Sequence, residues 1–246
     1  MYKEHPVFEK PINENARIWR YLDFAKFVSI LEKKALFFVR ADKLGDPFEG
    51  SYSKANIELR PRVYGQIPEK GLRKISEIHE RFRRFTLINC WSVSDYESEA
   101  LWKLYLKSEN GIAVQSTFKR LAESFRGYSG DVHIGMVKYA DYQTEWIPEG
   151  NSFYPFLHKR RNFAHESELR AVIQRIPIKQ GSEEIDLEGN ICDIGIYVPV
   201  DLDILIEKII VSPSETWFID LVKAIVTKYT LDKEVLPSSL AETPVY

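Results

Sequence analysis

The run Glu166-Ser167-Glu168-Leu169-Arg170 sets three charged side chains at alternate positions. In an extended chain, alternation puts Glu166, Glu168 and Arg170 on one face and Ser167, Leu169 and Ala171 on the other. Three charges beside an apolar face need solvent, mutual ion pairs or a ligand. A surface ion-pair ladder would satisfy them. So would a cleft floor in which a carboxylate binds a sugar hydroxyl or stabilises a cationic transition state. In that second case Glu168 and Glu166 are the candidate catalytic carboxylates. Asp46-Pro47-Phe48-Glu49 is the next segment with chemical content. Asp-Pro favours a turn and proline restricts its neighbour, so a rigid loop is expected. It reads either as a structural turn with Phe48 tucked into the core or as a pocket edge presenting Asp46 or Glu49. Trp102 and Tyr105 are core rings or pocket-lining rings, and Tyr105 is the stronger pocket candidate because its hydroxyl needs a partner.

Other chemistries lack their residues. His5, His79, His133, His158 and His165 show no ligand spacing with each other or with cysteine, so no metal centre is expected. P-loop, GxGxxG, GxSxG and HExxH patterns are missing, which disfavours conventional nucleotidases, dehydrogenases, serine hydrolases and zincins. The formal net charge of -2, from 34 basic and 36 acidic side chains, argues against a dedicated duplex-DNA binder. Two basic clusters, Arg81 with Arg83 and Arg84, and Lys159-Arg160-Arg161, still leave scope for a groove attracting nucleic acid or a dinucleotide phosphate. Cys90 and Cys192 are the only cysteines, which fits a reducing, cytoplasmic setting. No apolar run approaches the roughly 20 residues of a membrane span, so no membrane partner is expected. Nothing here sets the oligomeric state.

The candidate residues must be positioned by the elements around them. Arg17 to Tyr21 reads as a first strand. A helix from the N-cap Asp23 to Lys33 follows, with Phe24, Phe27, Val28 and Leu31 on one stripe. Ala35 to Arg40 is a buried strand feeding the Asp46 loop. Pro68 to Arg84 patterns as a helix within a polar stretch that begins at Arg60, and Phe85 to Val93 as a strand. Ser94-Asp95-Tyr96-Glu97 fits a capping box and opens a helix to about Lys107, with Asn110-Gly111 as its stop. Ile112 to Gln115 is a strand, and Thr117 caps a short helix. Val132 to Tyr139, Leu169 to Ile176, Ile194 to Val198 and Ile206 to Val211 are further strands. Ser212, Pro213 and Glu215 open a last helix that buries Trp217, Phe218, Leu221, Val222 and Ile225. Residues 1–14 read as a polar extension and 234–246 as a flexible tail. The irregular mixture predicts an α+β fold, one domain over 1–246, with a mixed, largely antiparallel sheet flanked by helices.

Several separated motifs carry a family resemblance. They are Trp19-Arg20-Tyr21, Leu36-Phe37-Phe38 leading to Asp46-Pro47-Phe48-Glu49, Cys90-Trp91-Ser92, Leu101-Trp102-Lys103-Leu104-Tyr105, Asn110-Gly111-Ile112-Ala113-Val114, and Lys159 with Phe163 and Glu166 to Arg170. In this order they resemble the bacterial domain-of-unknown-function 2971 family over most of the chain, with Gly45 where that pattern has asparagine. The resemblance implies a bacterial protein, sometimes encoded near anti-phage systems. Arg20, Gln115-Ser116-Thr117 and the late Glu166/Glu168 pair are also similar to the Arg–Ser–Glu arrangement of ADP-ribosyltransferases. That similarity implies an ADP-ribosyltransferase or NAD glycohydrolase with NAD as substrate and no covalently bound cofactor. Arg20, Tyr21, Tyr105 and Arg170 would bind the dinucleotide, Arg20 as a fork on its pyrophosphate. Glu168 would stabilise oxocarbenium-like charge, Ser116 or Thr117 would support it, and Glu166 would orient a nucleic-acid or protein acceptor. The alternative is a non-catalytic nucleic-acid-binding or sensing module.

Overall fold

The computed structural model describes residues 1–106, 110–213 and 216–244. Strand β1 (Arg17–Asp23) ends on Asp23, whose carboxylate accepts from Lys26 N and caps α1 (Phe24–Lys33). Lys34, in the left-handed region, turns the chain into β2 (Ala35–Arg40). A loop and two polar helices follow, α2 (Lys54–Val63) and α3 (Glu69–Phe85), before β3 (Thr86–Val93). Next come α4 (Glu99–Tyr105), β4 (Gly111–Thr117), α5 (Phe118–Ser124), β5 (His133–Met136), β6 (Lys138–Ala140), β7 (His158–Arg160) and β8 (Glu168–Gln174). The chain closes with β9 (Gly195–Pro199), α6 (Leu202–Leu205), β10 (Lys208–Val211), α7 (Thr216–Lys228) and β11 (Glu234–Pro237).

The fold is α+β, with a mixed, mostly antiparallel sheet ordered β11-β10-β4-β1-β3-β2-β9. Strand β3 is its branch point. One edge pairs with β8 from Thr86 to Ser92, and β8 pairs onward to β5. The other edge is divided. Its C-terminal end meets β1 (Ile18↔Val93, Trp19↔Ser92) and its N-terminal end meets β2 (Val39↔Ile88, Arg40↔Leu87). The ladders leave Asn89, Cys90 and Trp91 in the fork between β1 and β2. Side chains take over there: Asn89 Nδ2 donates to Phe37 O at 2.9 Å, and an Arg20 guanidinium nitrogen donates to Cys90 O at 2.5 Å. These bonds satisfy backbone groups that a continuous ladder would have paired.

One face of the sheet carries the main core, where Phe27 and Leu31 of α1, Phe118 and Leu121 of α5, and Phe218 and Val222 of α7 pack on Ile18, Leu87, Trp91 and Leu169. The opposite face is covered in two pieces. Phe8, Phe82 and Phe156 lie over Ile88 and Val172, whereas Leu101 and Trp102 lie over Trp19, Tyr21 and Ile210. Between these pieces the sheet is left to polar side chains. No helix among the described residues is long and apolar enough to cross a membrane.

Most expected elements appear, and the departures have local causes. The α4 helix starts at Glu99 with Ser98 as its cap, because Ser94 is spent on a turn with Tyr96 and Glu97 accepts from Trp102, Ser238 and Ser239. It ends at Tyr105, and Lys107 lies outside the described residues. The strand expected from Val132 to Tyr139 is divided at Val137, because β5 pairs with β8 and β6 pairs with β7. The segment expected as a flexible tail, 234–246, is described as far as residue 244 and contains a strand. Strand β11 pairs in parallel with β10, and Ser238 and Ser239 bind Glu97. In α7 the buried stripe is Phe218, Val222 and Val226, and Trp217 and Leu221 are exposed. Glu215 lies outside the described residues.

Helix α2, which polarity concealed, is pinned by tertiary contacts despite Pro61 within it. Arg60 Nε meets the Glu149 carboxylate at 2.9 Å with both side chains almost fully buried, and Asn56 bonds the Ile147 backbone in both directions. His79 lies against Arg60 and the Tyr52 ring. Burial, then the Arg60 charge, pushes its imidazole down from 6.5 to about 4. Between those values the unfolded chain binds a proton that the folded chain refuses. The stability from neutral His79 is therefore complete above pH 6.5 and lost as pH falls towards about 4. Substituting His79→Gln is expected to flatten the fall in unfolding free energy across that window in urea titrations. Equal slopes for variant and wild type would refute the assignment.

Candidate functional site

The charged face of β8 is held where the sheet's cover divides. Register sets Glu168 opposite Ser92 and Arg170 opposite Cys90, so both side chains rise from the same face as Ile88 and Val172. Leu169 and Ala171 point into the main core, as alternation requires. Glu166 precedes the strand, in a 3-10 turn over Arg161–Glu166, and Ser167 takes a left-handed conformation between them. This kink brings Glu166 to the same cluster as Glu168.

The charges are buried and paired rather than laid out on a surface. Arg170, with 0% exposure, reaches Glu49 at 2.8 Å and Glu168 at 2.9 Å and donates to Phe156 O. The Lys159 ammonium contacts Glu166 at 2.7 Å, Glu168 at 3.3 Å and Glu49 at 3.4 Å. Three carboxylates thus share two cations, leaving one net negative charge. Burial pushes the Glu168 carboxyl up, but Arg170 and Lys159 outweigh it and hold the group below the usual range, ionised. Burial likewise opposes charge on Lys159, and Glu168 and Glu49 reverse the effect. Both cations bind Oε2 of Glu168, which leaves Oε1 outside the ion pairs. The Glu168 N–H donates to the Tyr139 hydroxyl, and Ser92 Oγ donates to Glu166 O, so the backbone of the segment is fixed as well.

A cavity of about 880 Å³ opens from this cluster into the fork of the sheet. Its charged end presents Asp46, Glu49, Lys159, Arg160, Glu166 and Glu168. Arg20 and Tyr105 stand beside that end, and Phe37, Val39, Ile30 and Tyr197 line the far wall. This mixture of apolar wall and a few fixed polar groups is typical of small-molecule sites. Arg20 lies 5.9 Å from the Trp91 ring centroid and has no ion pair with an acid among the described residues. Its Nε is buried without a hydrogen-bond partner, and burial pushes the guanidinium down from its usual range. Every other arginine or lysine at the charged end is matched by a carboxylate. Burial, followed by the charge of Glu166, pushes the Tyr105 hydroxyl up, so it is a proton donor at neutral pH.

The Asp46 loop closes one rim. Asp46 receives Arg160 at 2.8 Å and caps its own turn through Phe48 N. Arg160 stacks 4.3 Å from Phe48 and 5.3 Å from Phe163. Phe48 is thus neither core nor cavity wall: it is exposed and serves as a plate under Arg160. The structure gathers Arg20, Tyr21, Asp46, Glu49, Tyr105, Glu166 and Glu168 around the cavity. Arg170 lies behind the wall, paired with Glu49 and Glu168. Trp102 packs in the core against Tyr21 and donates to Glu97, and the Tyr21 hydroxyl is taken by Ser98 N–H. Ser116 is remote from the cavity, its hydroxyl given to Leu205 O, and Thr117 caps α5. The expected support for the carboxylates from this pair is not what the structure contains; the Ser92 and Tyr139 hydroxyls nearby bond the backbone of Glu166 and Glu168. Lys159 and Cys90 are members that sequence reasoning did not select, although both sit in the quoted motifs.

No family model, curated protein or solved structure matches the chain. Among the described residues, no group of three or more His, Cys, Asp and Glu is arranged to hold a metal ion. What the arrangement offers is a fixed carboxylate for developing positive charge, a hydroxyl donor and an arginine without an acid. Because Arg170 serves two buried acids, Arg170→Leu is expected to destabilise the fold by about 3–5 kcal/mol in denaturant titrations. A loss under about 1 kcal/mol, the range of exposed pairs, would show that the network is not buried in solution.

Proposed function

We propose that the fork cavity is the active site of an NAD-using enzyme of ADP-ribosyltransferase or NAD glycohydrolase type. One observation supports this reading above others: Arg20 from β1 and Glu168 from β8, on opposite sides of β3, face the same cavity together with Glu166 and Tyr105. Such an enzyme breaks the bond between ribose C1′ and the nicotinamide nitrogen, and positive charge grows on the ribose as the base leaves. The ionised Glu168, backed by a network with one surplus negative charge, stabilises that charge. Arg20 takes the anionic diphosphate, which supplies the acid that the protein does not. Glu166 orients the acceptor, either water or a group on a nucleic acid or protein. The resemblance to the bacterial domain-of-unknown-function 2971 family extends the reading to a cytoplasmic role in anti-phage defence.

The alternative nucleic-acid module finds less support. Lys159 is buried, Arg160 and Arg161 pair with Asp46 and Glu145, Arg81 pairs with Glu188, and Arg83 donates to Pro47 O. A phosphate-tracking groove needs cations free to replace counterions.

The test is release of nicotinamide from labelled NAD by the purified protein, with and without cell lysate as acceptor source. Glu168→Gln is expected to slow release by about 10²-fold or more while retaining the wild-type circular dichroism spectrum. No release and no labelled product from folded wild-type protein would reject the proposal.

A further inference from the structure

The cavity's far wall has its own construction. Phe37 of β2 and Tyr197 of β9 are directly opposed across the ladder, with ring centroids 5.0 Å apart. Two residue pairs along the ladder, on the same face, Val39 opposes Gly195. A Cβ at Gly195 would collide with Phe38 O, 2.2 Å from its ideal position, and with the Phe37 ring at 2.7 Å, so the glycine leaves room for both. Tyr197 is held in turn. Its hydroxyl shares a hydrogen bond with Ser29 Oγ at 3.0 Å, and the Lys33 ammonium stands 4.7 Å from its ring centroid. Two aromatic side chains are thus fixed on an edge of the sheet, facing a cavity, with Tyr197 still 44% exposed. Ile30 and Ala25 of α1 complete an apolar surround, and Lys26 and Ser29 supply polar groups at its margin.

We infer that this Phe37–Tyr197 shelf is a binding subsite for a planar heterocycle, the nucleobase at the end of the ligand remote from the reacting bond. The inference rests on the proposed activity. The scissile ribose must lie at Glu168, and the diphosphate at Arg20, which sits in the fork between the charged end and the far wall. A dinucleotide continuing past Arg20 then brings its second base to the shelf, and a cavity of about 880 Å³ has room for such a ligand. Exposed rings with fixed orientation stack on bases without demanding a particular hydrogen-bond pattern. The shelf therefore recognises an adenine-type ring by its face, and the charged end recognises the reacting half.

Separate halves of the ligand test this. AMP carries the remote base and nicotinamide mononucleotide the reacting half, and each is titrated calorimetrically against wild type, Tyr197→Ala and Tyr197→Phe. Tyr197→Ala is expected to weaken AMP about tenfold or more and to leave nicotinamide mononucleotide within about twofold. Tyr197→Phe, which keeps the ring, is expected to hold AMP within about threefold. AMP affinity unchanged in Tyr197→Ala, equal weakening of both halves, or wild type binding only nicotinamide mononucleotide would each overturn the shelf and leave the proposed activity standing. Wild type binding neither half would overturn both.

Discussion

At each position along its edge, a strand can complete its hydrogen-bond ladder with one neighbour only. Strand β3 meets two neighbours on one edge, and the cavity is the geometric consequence. Because β1 takes the Val93 end and β2 the Leu87 end, the chain between must diverge around Asn89 to Trp91. The gap cannot be closed by backbone, and Asn89 and Arg20 close it with side chains. A forked sheet exposes strand edges within the body of the protein instead of at its rim. Both faces of β1 therefore contribute to the cavity wall, Trp19 and Tyr21 from one and Arg20 and Leu22 from the other.

The buried charges make the same region cooperative. Glu49 comes from the loop after β2, Lys159 from β7, and Glu168 and Arg170 from β8, with the Arg170–Glu49 contact spanning 121 positions. Burying ions is costly unless each is paired and hydrogen-bonded. Here Glu49 has both of its cationic partners, Lys159 and Arg170, on other segments, so its loop cannot leave without stranding charge. The Asp46 loop and the 158–166 segment are further joined at Arg160, which binds Asp46 and stacks between Phe48 and Phe163.

How much of this was legible depended on whether local pattern or remote geometry decided the outcome. Alternation separates Glu168 and Arg170 from Leu169 and Ala171, and the structure keeps that division. It says nothing of depth, because whether a charged face meets water is set by what packs over it, here residues from the Glu49 loop to Phe156. Lys159 stands in a basic run beside Arg160 and Arg161 with no local mark to distinguish it. Only the pairing of β7 with β6 turns it inward. Ser94-x-x-Glu97 is a sound cap pattern, yet Glu97 is claimed by Ser238 and Ser239, 141 and 142 positions away. Helix α2 was hidden because its stability resides in Arg60 and Asn56, polar residues whose buried partners are remote. Fold class, by contrast, follows from the mixture and spacing of short elements, which is local information.

Arg170 has another consequence. Its guanidinium is fully enclosed and gripped by two carboxylates and a carbonyl, so it cannot swing when the contents of the cavity change. Water around a growing cation must rotate to solvate it, and that rotation is a large share of the activation barrier in solution. Around Glu168 the dipoles and charges are already set by the folded chain. The charged end of the cavity therefore acts as a solvent of low reorganisation energy, whose polarisation was completed when the protein folded.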